Sequence, residues 1–472
     1  MRISAKARPH TELPEYDPAC HSTGIVHIGI GAFHKAHQAV YTDTALSIGG
    51  DWRIIGVSLR SPDVAAALNP QDGRYLLITR DESGDTARMI ASIDHVLVAH
   101  EDPEAVIAAI ADPATRIVTI TVTEKGYGID RGTSTLDLTH PAIAHDLRSD
   151  VPVGLIGFLV AGLARRQTPL TILSCDNLPE NGHITRRLVI DFARHRDPAL
   201  GEWIGANVRF PSSMVDRITP ATTEKTLGDA AAMSGFIDLA AVETEPFTQW
   251  VIEDDFAAGR PAWDKAGAVF VGDVAPYEKM KLRLLNGTHS LLAYAGFMAG
   301  HRTIAEAVRS PNLRRLAERQ MIAAAATLPP VPGIDLAAYR DELLARFSNA
   351  AIAHQTYQIA MDGTEKLPQR IFAPMADSRD PEAFCFTIAA WMRYCLGRDD
   401  EGRAYALRDP QEVQIATLLA GTDGDAGRIH DALAGLFPPQ DAPVRNTIVR
   451  LLTQMLKDGM ARTIADPARK DA

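Results

Sequence analysis

Three polar side chains that could do chemistry fall on one stretch of predicted helix, Tyr277 to His289. At 100° per residue, Lys281, Asn286 and His289 lie at roughly 0°, 140° and 80° around the helix axis. The residues that flank this face are Leu and Ala. Because polar groups on an apolar helix cost free energy unless they face a ligand or water, the trio predicts a site. The alternative is that Asn286 and Gly287 end one helix and His289 is a hydrogen-bonded core residue.

A glycine turn near the start of the chain could hold a phosphate group. A β-rich run enters the segment Ile28, Gly29, Ile30, Gly31, Ala32, Phe33 and His34. In a strand–turn–helix unit the first glycine permits the tight turn, and the second lets the backbone approach a pyrophosphate at the helix N-terminus. His34 stands where the usual pattern has a third glycine. A plain strand–helix turn is the alternative interpretation.

An acidic residue after the second predicted strand would complete a dinucleotide site, because it can bind the ribose hydroxyls. Asp63 is the candidate. It could equally cap a helix that begins at Val64, since Asp is a favourable N-cap residue. An acid in this position favours NAD over NADP, although the neighbouring Arg60 leaves that choice open.

The elements that must position these residues form two sets. In the first half, β-rich runs alternate with helical patterns, which indicates a parallel sheet; the runs are Ile25 to Ile28, Trp52 to Leu59, Arg116 to Thr123 and Leu170 to Ser174. Each run ends in glycine or polar residues, and ligands bind beyond the carboxyl ends of such strands. We therefore expect a shared cleft there, the alternative being that these loops are simply polar.

The second half loses its β-rich runs from about residue 278. Helical patterns dominate instead: Lys281 to Met298, Asn312 to Ala326, Leu336 to Ser348, Ala383 to Leu396, Pro410 to Leu419 and Ala442 to Asp458. The sequence thus predicts an α/β domain over residues 1–277 and a mostly α-helical domain over residues 278–472. The first would be the nucleotide-binding domain and the second the catalytic and substrate domain.

Composition excludes several classes of partner. The formal charge of −11 argues against nucleic acid or an anionic membrane, because both require a basic surface. The longest apolar stretch, Val151 to Ala164, is below the roughly 20 residues that span a bilayer. Residues 1–20 lack the apolar core of a signal peptide, and the four cysteines form no C-x-x-C pair. We expect a cytoplasmic protein without a zinc framework.

Several longer motifs, in order along the chain, resemble the polyol-specific long-chain dehydrogenases, the mannitol dehydrogenase superfamily. The likeness covers nearly the whole chain and rests on residues 29–37, 121–127, 174–183, 210–220, 249–254 and the lysine-containing segment 277–289. The resemblance implies a Rossmann-type N-terminal domain, a helical C-terminal domain, NAD(P) as cofactor and no metal. It implies cofactor contacts within residues 28–34 and at Asp63 and Glu124.

The resemblance also assigns roles to individual residues. The catalytic lysine of the family falls on Lys281, its two carbonyl-polarising asparagines on Asn177 and Asn286, and its substrate-binding histidine on His289. Further matches to the substrate site are Asp216 and Lys366, while Glu278 matches a carboxylate on the proton path to the lysine.

Within the family, residues 354–370 look most like fructuronate reductases (D-mannonate oxidoreductases). Mannitol 2-dehydrogenases tend to carry Arg where Gln358 stands. We therefore expect a hexuronate substrate whose carboxylate meets Lys366 or Arg370, unless this Pro-flanked segment is a solvated loop. The alternatives are a mannitol 2-dehydrogenase, which acts on D-mannitol and D-fructose, and a catalytically silent nucleotide or sugar sensor on the same fold. We expect a small sugar acid or polyol as the partner, and a monomer.

The expected reaction interconverts a secondary alcohol and a ketone. Lys281 can act as general base only if its pKa falls from ~10.4 towards roughly 7 or 8. Burial in a cleft between the domains and the positive nicotinamide ring would lower this pKa, whereas Glu278 would raise it. The amides of Asn177 and Asn286 would donate to the developing alkoxide, a contribution of roughly 2.7–4 kcal/mol per donor.

Overall fold

The computed structural model describes residues 11–130, 133 and 135–466. The chain separates into two compact units, Met1–Ala275 and Pro276–Ala472. The boundary predicted from the sequence, after residue 277, lies two residues away from this division.

A parallel sheet forms the centre of the first unit, with six strands among the described residues. In chain order they are β1 (Thr23–Ile28), β2 (Arg53–Ser58), β3 (Ile93–Val98), β4 (Ile117–Ile120), β5 (Leu170–Ser174) and β6 (Val208–Arg209). Their order across the sheet is β6-β5-β4-β1-β2-β3, and every pairing is parallel. This order is that of the Rossmann fold, so the predicted fold class is confirmed.

Both faces of this sheet are buried, as is usual for parallel sheets. Alternate residues of β1 point to opposite sides: Val26 and Ile28 pack in one core cluster, whereas Ile25 packs in the other with Trp250 and Trp263. Because β-branched side chains fill a pleated surface well, the Ile/Val runs in the sequence form these strands. All four strands predicted from the sequence are observed, and the run Leu170–Ser174 has its predicted bounds.

The remaining elements of the first unit surround the sheet. Its α-helices are Ala32–Ala36, Gln38–Leu46, Asp63–Leu68, Pro103–Ala111, Pro141–Asp146, Leu155–Leu163, Asn181–Arg196, Pro198–Asn207 and Glu224–Ser234, with 3₁₀ turns at Pro18–Cys20, Asn69–Gln71 and Glu124–Tyr127. Smaller sheets comprise Thr11–Glu12, Thr86–Ile90, Tyr75–Thr79 and Val242–Thr244; Ser213–Asp216, Gln249–Glu253 and Val269–Val271; and Ile129–Asp130 with Thr135–Leu136.

The second unit is largely helical, and among its described residues the extended pairing is limited to isolated bridges. Its helices are Ala275–Met280, Lys281–Asn286, Gly287–Met298, Ile304–Arg309, Pro311–Ala325, Leu336–Ser348, Thr356–Ala360, Gly363–Leu367, Pro368–Phe372, Ala373–Asp377, Glu382–Tyr394, Glu412–Leu419, Ala426–Ala434, Ala442–Asp458 and Met460–Ala465. Lys281–Asn286 and Pro368–Phe372 are π-helical turns inside longer helices. We call these longer helices the lysine helix (residues 275–298) and the arginine helix (residues 363–377). In the part of the chain that the structure describes, no helix is long and apolar enough to cross a membrane.

Candidate functional site

The two glycines of the turn after β1 have different structural requirements. Gly29 has φ +97°, and a Cβ there would lie 2.0 Å from the Thr121 carbonyl oxygen, so the fold itself requires glycine. Gly31 has an extended φ of −120°, and a Cβ there would meet only the Gly29 oxygen, at 3.8 Å. The space that a side chain at Gly31 would fill is therefore open. This is the cradle that the approach of a pyrophosphate to the backbone requires.

His34 is buried, as are Ile28 and Ile30. Its ring stacks on His27, with 3.4 Å between the ring centroids and 15° between the planes. The nitrogens of His27 lie 2.8 Å and 2.9 Å from the hydroxyls of Thr119 and Thr121. Burial lowers the pKa of His27 to about 3 and that of His34 well below its usual range. His34 is one of the expected cofactor contacts, and its side chain packs inside the protein against His27.

Asp63 is exposed and follows β2 as the sequence predicts. The alternative interpretation as a helix cap is wrong, because the helix Asp63–Leu68 begins at Asp63 itself, with Pro62 in the cap position. The carboxylate accepts a hydrogen bond of 2.6 Å from the Ser61 hydroxyl. A carboxylate held in this way at a strand end can accept hydrogen bonds from ribose hydroxyls.

The carboxyl ends of β4 and β5 carry the other polar residues of the first unit. Glu124 begins the 3₁₀ turn after β4, and Asn177 follows β5; both are exposed. Between Ser174 and Asn177 lies Asp176, a half-buried acid that the sequence reasoning did not single out. Burial raises the pKa of Asp176 to about 7, with a smaller contribution from the charge of Glu124.

Asp216 ends the strand Ser213–Asp216 on a different sheet of the first unit. It is 5% exposed and pairs in register with Gln249 of the antiparallel neighbour. A buried strand-end carboxylate is held rigidly, which suits a residue that binds a substrate hydroxyl.

In the second unit, the lysine helix departs from α geometry at the predicted catalytic residues. The π turn Lys281–Asn286 pairs residues five apart, so Asn286 lies about one turn after Lys281 instead of the expected 140° away. The helix continues through Gly287, so the alternative of a helix end there is wrong. Glu278 lies half-buried one turn before Lys281. Mid-helix π turns are frequent at functional sites.

Gly287 lets the two π turns approach each other. A Cβ at this position would lie 2.9 Å from the carbonyl oxygen of Arg370, in the π turn of the arginine helix. Any larger residue would therefore push the arginine helix away from the lysine helix. This contact places the backbones of Asn286 and Arg370 on adjoining turns.

His289 is buried, and its Nε2 has no hydrogen-bond partner among the described residues. Its ring lies 4.6 Å from Phe347 and 5.0 Å from His354, measured between centroids. The alternative, a core histidine whose nitrogens are hydrogen-bonded, therefore does not hold for Nε2. Burial lowers the pKa of His289 well below its usual range, and the neighbouring charges that lower it further are all basic: His354, Arg370, Arg346 and Lys281.

The ammonium of Lys366 has partners in the two residues just before the arginine helix. Its ammonium donates to the Met361 carbonyl at 2.6 Å and lies 3.5 Å from the Asp362 carboxylate. Burial lowers the pKa of Lys366, and the positive charge of Arg370 adds to this effect. Arg370, the other cation expected to meet a carboxylate, contributes to the basic surroundings of His289.

Sequence reasoning missed Arg346 and His354. Both lie outside the lysine helix, on or after the helix Leu336–Ser348, and only the fold brings them near His289. His354 begins the segment 354–370 that carries the subfamily resemblance, which is the signal that could have found it. Among the described residues, no group of three or more His, Cys, Asp or Glu could hold a metal ion.

The similarity to known proteins extends over both units of the chain. The sequence profile of the mannitol dehydrogenase Rossmann domain matches residues 23–265, and that of the mannitol dehydrogenase C-terminal domain matches residues 273–434. The chain is 41% identical to D-mannonate oxidoreductase from Escherichia coli (strain K12) over 471 residues, 96% of this chain and 97% of that protein. It is 39% identical to mannitol 2-dehydrogenase from Aspergillus fumigatus (strain CBS 144.89 / FGSC A1163 / CEA10) over 485 residues, 98% and 97% of the two chains.

A solved structure is similar over the same length. The Pseudomonas fluorescens mannitol 2-dehydrogenase ternary complex with NAD and D-mannitol is 37% identical, with a TM-score of 0.87 and coverage of 98% of each chain.

Proposed function

Because the chain belongs to the mannitol dehydrogenase family and is an oxidoreductase of that family, we propose that it interconverts D-fructuronate and D-mannonate with NAD as cofactor. In the reducing direction, the ketone of the hexuronate takes up a hydride from NADH and a proton from the protein. The products are D-mannonate and NAD⁺. The coarser activity, on a polyol or sugar acid, follows from the family, whereas the choice of substrate is the proposal.

The observation that carries this choice is the basic surroundings of His289. After burial, the groups that lower the pKa of this imidazole are, largest first, His354, Arg370, Arg346 and Lys281, and the last three are cationic side chains. An electropositive region stabilises a bound anion, whereas it gives no such advantage to a neutral sugar. A hexuronate brings one carboxylate, whereas D-mannitol and D-fructose bring none. The position of Arg370 beside the lysine helix supports it as the carboxylate partner.

The first unit has the features that fit NAD. Gly31 leaves open the space that a pyrophosphate would need, and the exposed Asp63 carboxylate suits the adenosine ribose. Because a carboxylate at this position repels a 2′-phosphate, it favours NAD over NADP. Glu124 and the backbone of residues 28–34 complete the proposed contacts.

We assign the chemistry to side chains of both units. When bound, NADH supplies the hydride. Lys281 donates its proton to the oxygen of the new alcohol and, in the oxidising direction, accepts it back. The amides of Asn177 and Asn286 donate hydrogen bonds to the oxygen on which negative charge develops. Nε2 of His289 binds a substrate hydroxyl, and Glu278 relays the proton between Lys281 and solvent.

An NADH oxidation screen tests the substrate. D-fructuronate, D-tagaturonate, D-fructose and L-sorbose are compared by kcat/KM, and D-fructuronate is expected to exceed D-fructose by about 100-fold, the value of one charge-assisted contact. A kcat/KM for D-fructose equal to or above that for D-fructuronate would favour the mannitol 2-dehydrogenase alternative, to which the chain is nearly as similar. No oxidation with any of the four would point to the silent sensor.

Arg370→Gln shows whether the preference comes from the proposed carboxylate contact. We expect kcat/KM for D-fructuronate to fall about 10- to 100-fold, while the value for D-fructose changes less than threefold. The matched control is Arg314→Gln, because Arg314 is exposed and pairs with Glu318 on the surface of the same unit. Equal losses for the two sugars would mean that Arg370 supports the fold of the site and not the carboxylate.

A further inference from the structure

Asp176 lies at the carboxyl end of the parallel sheet, where hydrogen bonds hold its side chain. Its Oδ2 accepts a hydrogen bond of 2.6 Å from the Tyr127 hydroxyl and one of 3.2 Å from the Val122 backbone N–H. These donors belong to the segment after β4, whereas Asp176 follows β5. The carboxylate thus joins two neighbouring strand ends.

The other side of the same turn is fixed as well. Nδ2 of Asn181 donates to the Asp176 backbone carbonyl at 2.9 Å and to the Ser213 carbonyl at 2.7 Å. The Ser174 hydroxyl lies 2.8 Å from the phenol oxygen of Tyr127. Hydrogen bonds therefore hold both the side chain and the backbone of Asp176.

A structural role alone gives no reason for an acid at this position. Burying a carboxylate costs free energy even when it is hydrogen-bonded, and an apolar residue of similar size is often the more stable choice. The exposed Glu124 on the adjacent turn adds like-charge repulsion. The hydrogen bonds of Asp176 instead fix the backbone at the residue immediately before Asn177.

We propose that Asp176 is a positioning residue that, through Tyr127 and Val122, fixes the turn presenting the Asn177 amide. This inference rests on the proposed role of Asn177 as a donor to the substrate oxygen. The preorganisation of such a donor determines its worth, because a mobile amide must be ordered in the transition state. Loosening the turn is therefore expected to lower kcat more than it weakens cofactor binding.

Tyr127→Phe tests the inference, since it removes one hydroxyl and keeps the buried ring. The matched control is Tyr75→Phe: Tyr75 is equally buried in the same unit, and its hydroxyl donates to the Lys35 carbonyl at 2.6 Å. With D-fructuronate or, if it is the better substrate, D-fructose, Tyr127→Phe is expected to lower kcat about 10-fold. The Kd for NADH stays within about twofold, and Tyr75→Phe leaves kcat unchanged. An unchanged kcat in Tyr127→Phe overturns the inference.

A double-mutant cycle with Asn177→Ala separates this inference from the proposed function. If Tyr127 acts through Asn177, Tyr127→Phe has less than a twofold effect in the Asn177→Ala background, whereas a full 10-fold loss there overturns the inference. If Asn177→Ala itself keeps wild-type turnover, the proposed role of Asn177 fails, and the positioning of its amide for catalysis fails with it.

Hydrogen–deuterium exchange measures the turn without any substrate. Residues 175–180 are expected to exchange at least fivefold faster in Tyr127→Phe than in the wild type, and at an unchanged rate in Tyr75→Phe. Asp176→Asn, which retains the shape but weakens the acceptor, is expected to give the same pattern as Tyr127→Phe. Unchanged exchange in both variants overturns the inference, even if the protein reduces none of the sugars.

Discussion

At the carboxyl end of the parallel sheet, the carboxylate of the half-buried Asp176 accepts hydrogen bonds from Tyr127 and Val122. In the second unit, by contrast, Nε2 of His289 has no hydrogen-bond partner in the residues that the structure describes. His289 is buried and Asp176 half-buried, and desolvation shifts the pKa of each towards its neutral form. One group is thus satisfied by its own fold, and the other is not.

This difference distinguishes a group that supports the site from a group that is suited to bind a ligand. A satisfied network makes a rigid edge for a cofactor and for the asparagine that follows it, whereas an unsatisfied nitrogen among basic groups is costly until a ligand compensates it. The backbones differ in the same sense. The first unit uses regular parallel strands, while the second has π turns at its catalytic candidates, Lys281 and Asn286, and at Arg370. Irregular geometry therefore coincides with the proposed substrate contacts.

The largest expected effect comes from the second unit. Lys281→Ala is expected to lower kcat by about 10³-fold, because the proton of the alcohol loses its general acid and base. The Kd for NADH, measured by fluorescence titration, stays within about twofold of the wild type. Lys279→Ala is the control, since Lys279 is exposed on the same helix two residues earlier. Loss of NADH binding in Lys281→Ala would instead assign the lysine a structural role.

One asparagine from each unit sharpens the comparison further. Asn177→Ala and Asn286→Ala are each expected to lower kcat about 10²-fold, the usual value of one donor to a developing oxyanion. Asn177 is exposed, so its variant should keep the wild-type Tm; Asn286 is half-buried in a π turn, so its variant should lose some stability as well. A wild-type kcat in either variant would remove that amide from the proposed mechanism.

The glycine turn allows the fold and the cofactor to be tested separately. Gly31→Ala is expected to raise the Kd for NADH about 10-fold without changing Tm, because the new Cβ occupies space that is open in the protein. Gly29→Ala should instead lower Tm strongly, since its Cβ would overlap the Thr121 carbonyl at a φ of +97°. Wild-type NADH affinity in Gly31→Ala would mean that the cofactor does not approach this backbone.

The sequence could predict the sheet more fully than the site. Runs such as Leu170–Ser174 bury both faces, so their pattern and their polar ends identified the strands and the residues beyond them. The orientation of Lys281 and Asn286 could not be predicted, because the 100° spacing of an α-helix does not apply in a π turn. The approach of Arg346 and His354 to His289 depends on packing between segments that are distant in sequence. The sequence did not distinguish Asp176 from an ordinary loop residue, because polar residues are also common where strands end in loops.

Opposite pH dependence of stability is the smallest and most general consequence of the comparison. Burial raises the pKa of Asp176 from 3.8 to about 7, so its contribution to stability is present below pH 3.8 and is lost as the pH rises towards 7. Burial lowers the pKa of His354 from 6.5 to about 4, so its contribution is present above pH 6.5 and is lost as the pH falls towards 4.

Thermal unfolding between pH 4 and pH 7 distinguishes the two groups when each variant is compared with the wild type at the same pH. The Tm of the wild type minus that of Asp176→Asn should decrease by about 3–5 °C over this range, because only the wild type loses the favourable neutral acid. For His354→Gln the same difference should increase by a similar amount, since only the wild type gains the favourable neutral imidazole. Two differences that change with pH in the same direction would contradict the contrast between the acidic sheet edge and the basic helical site.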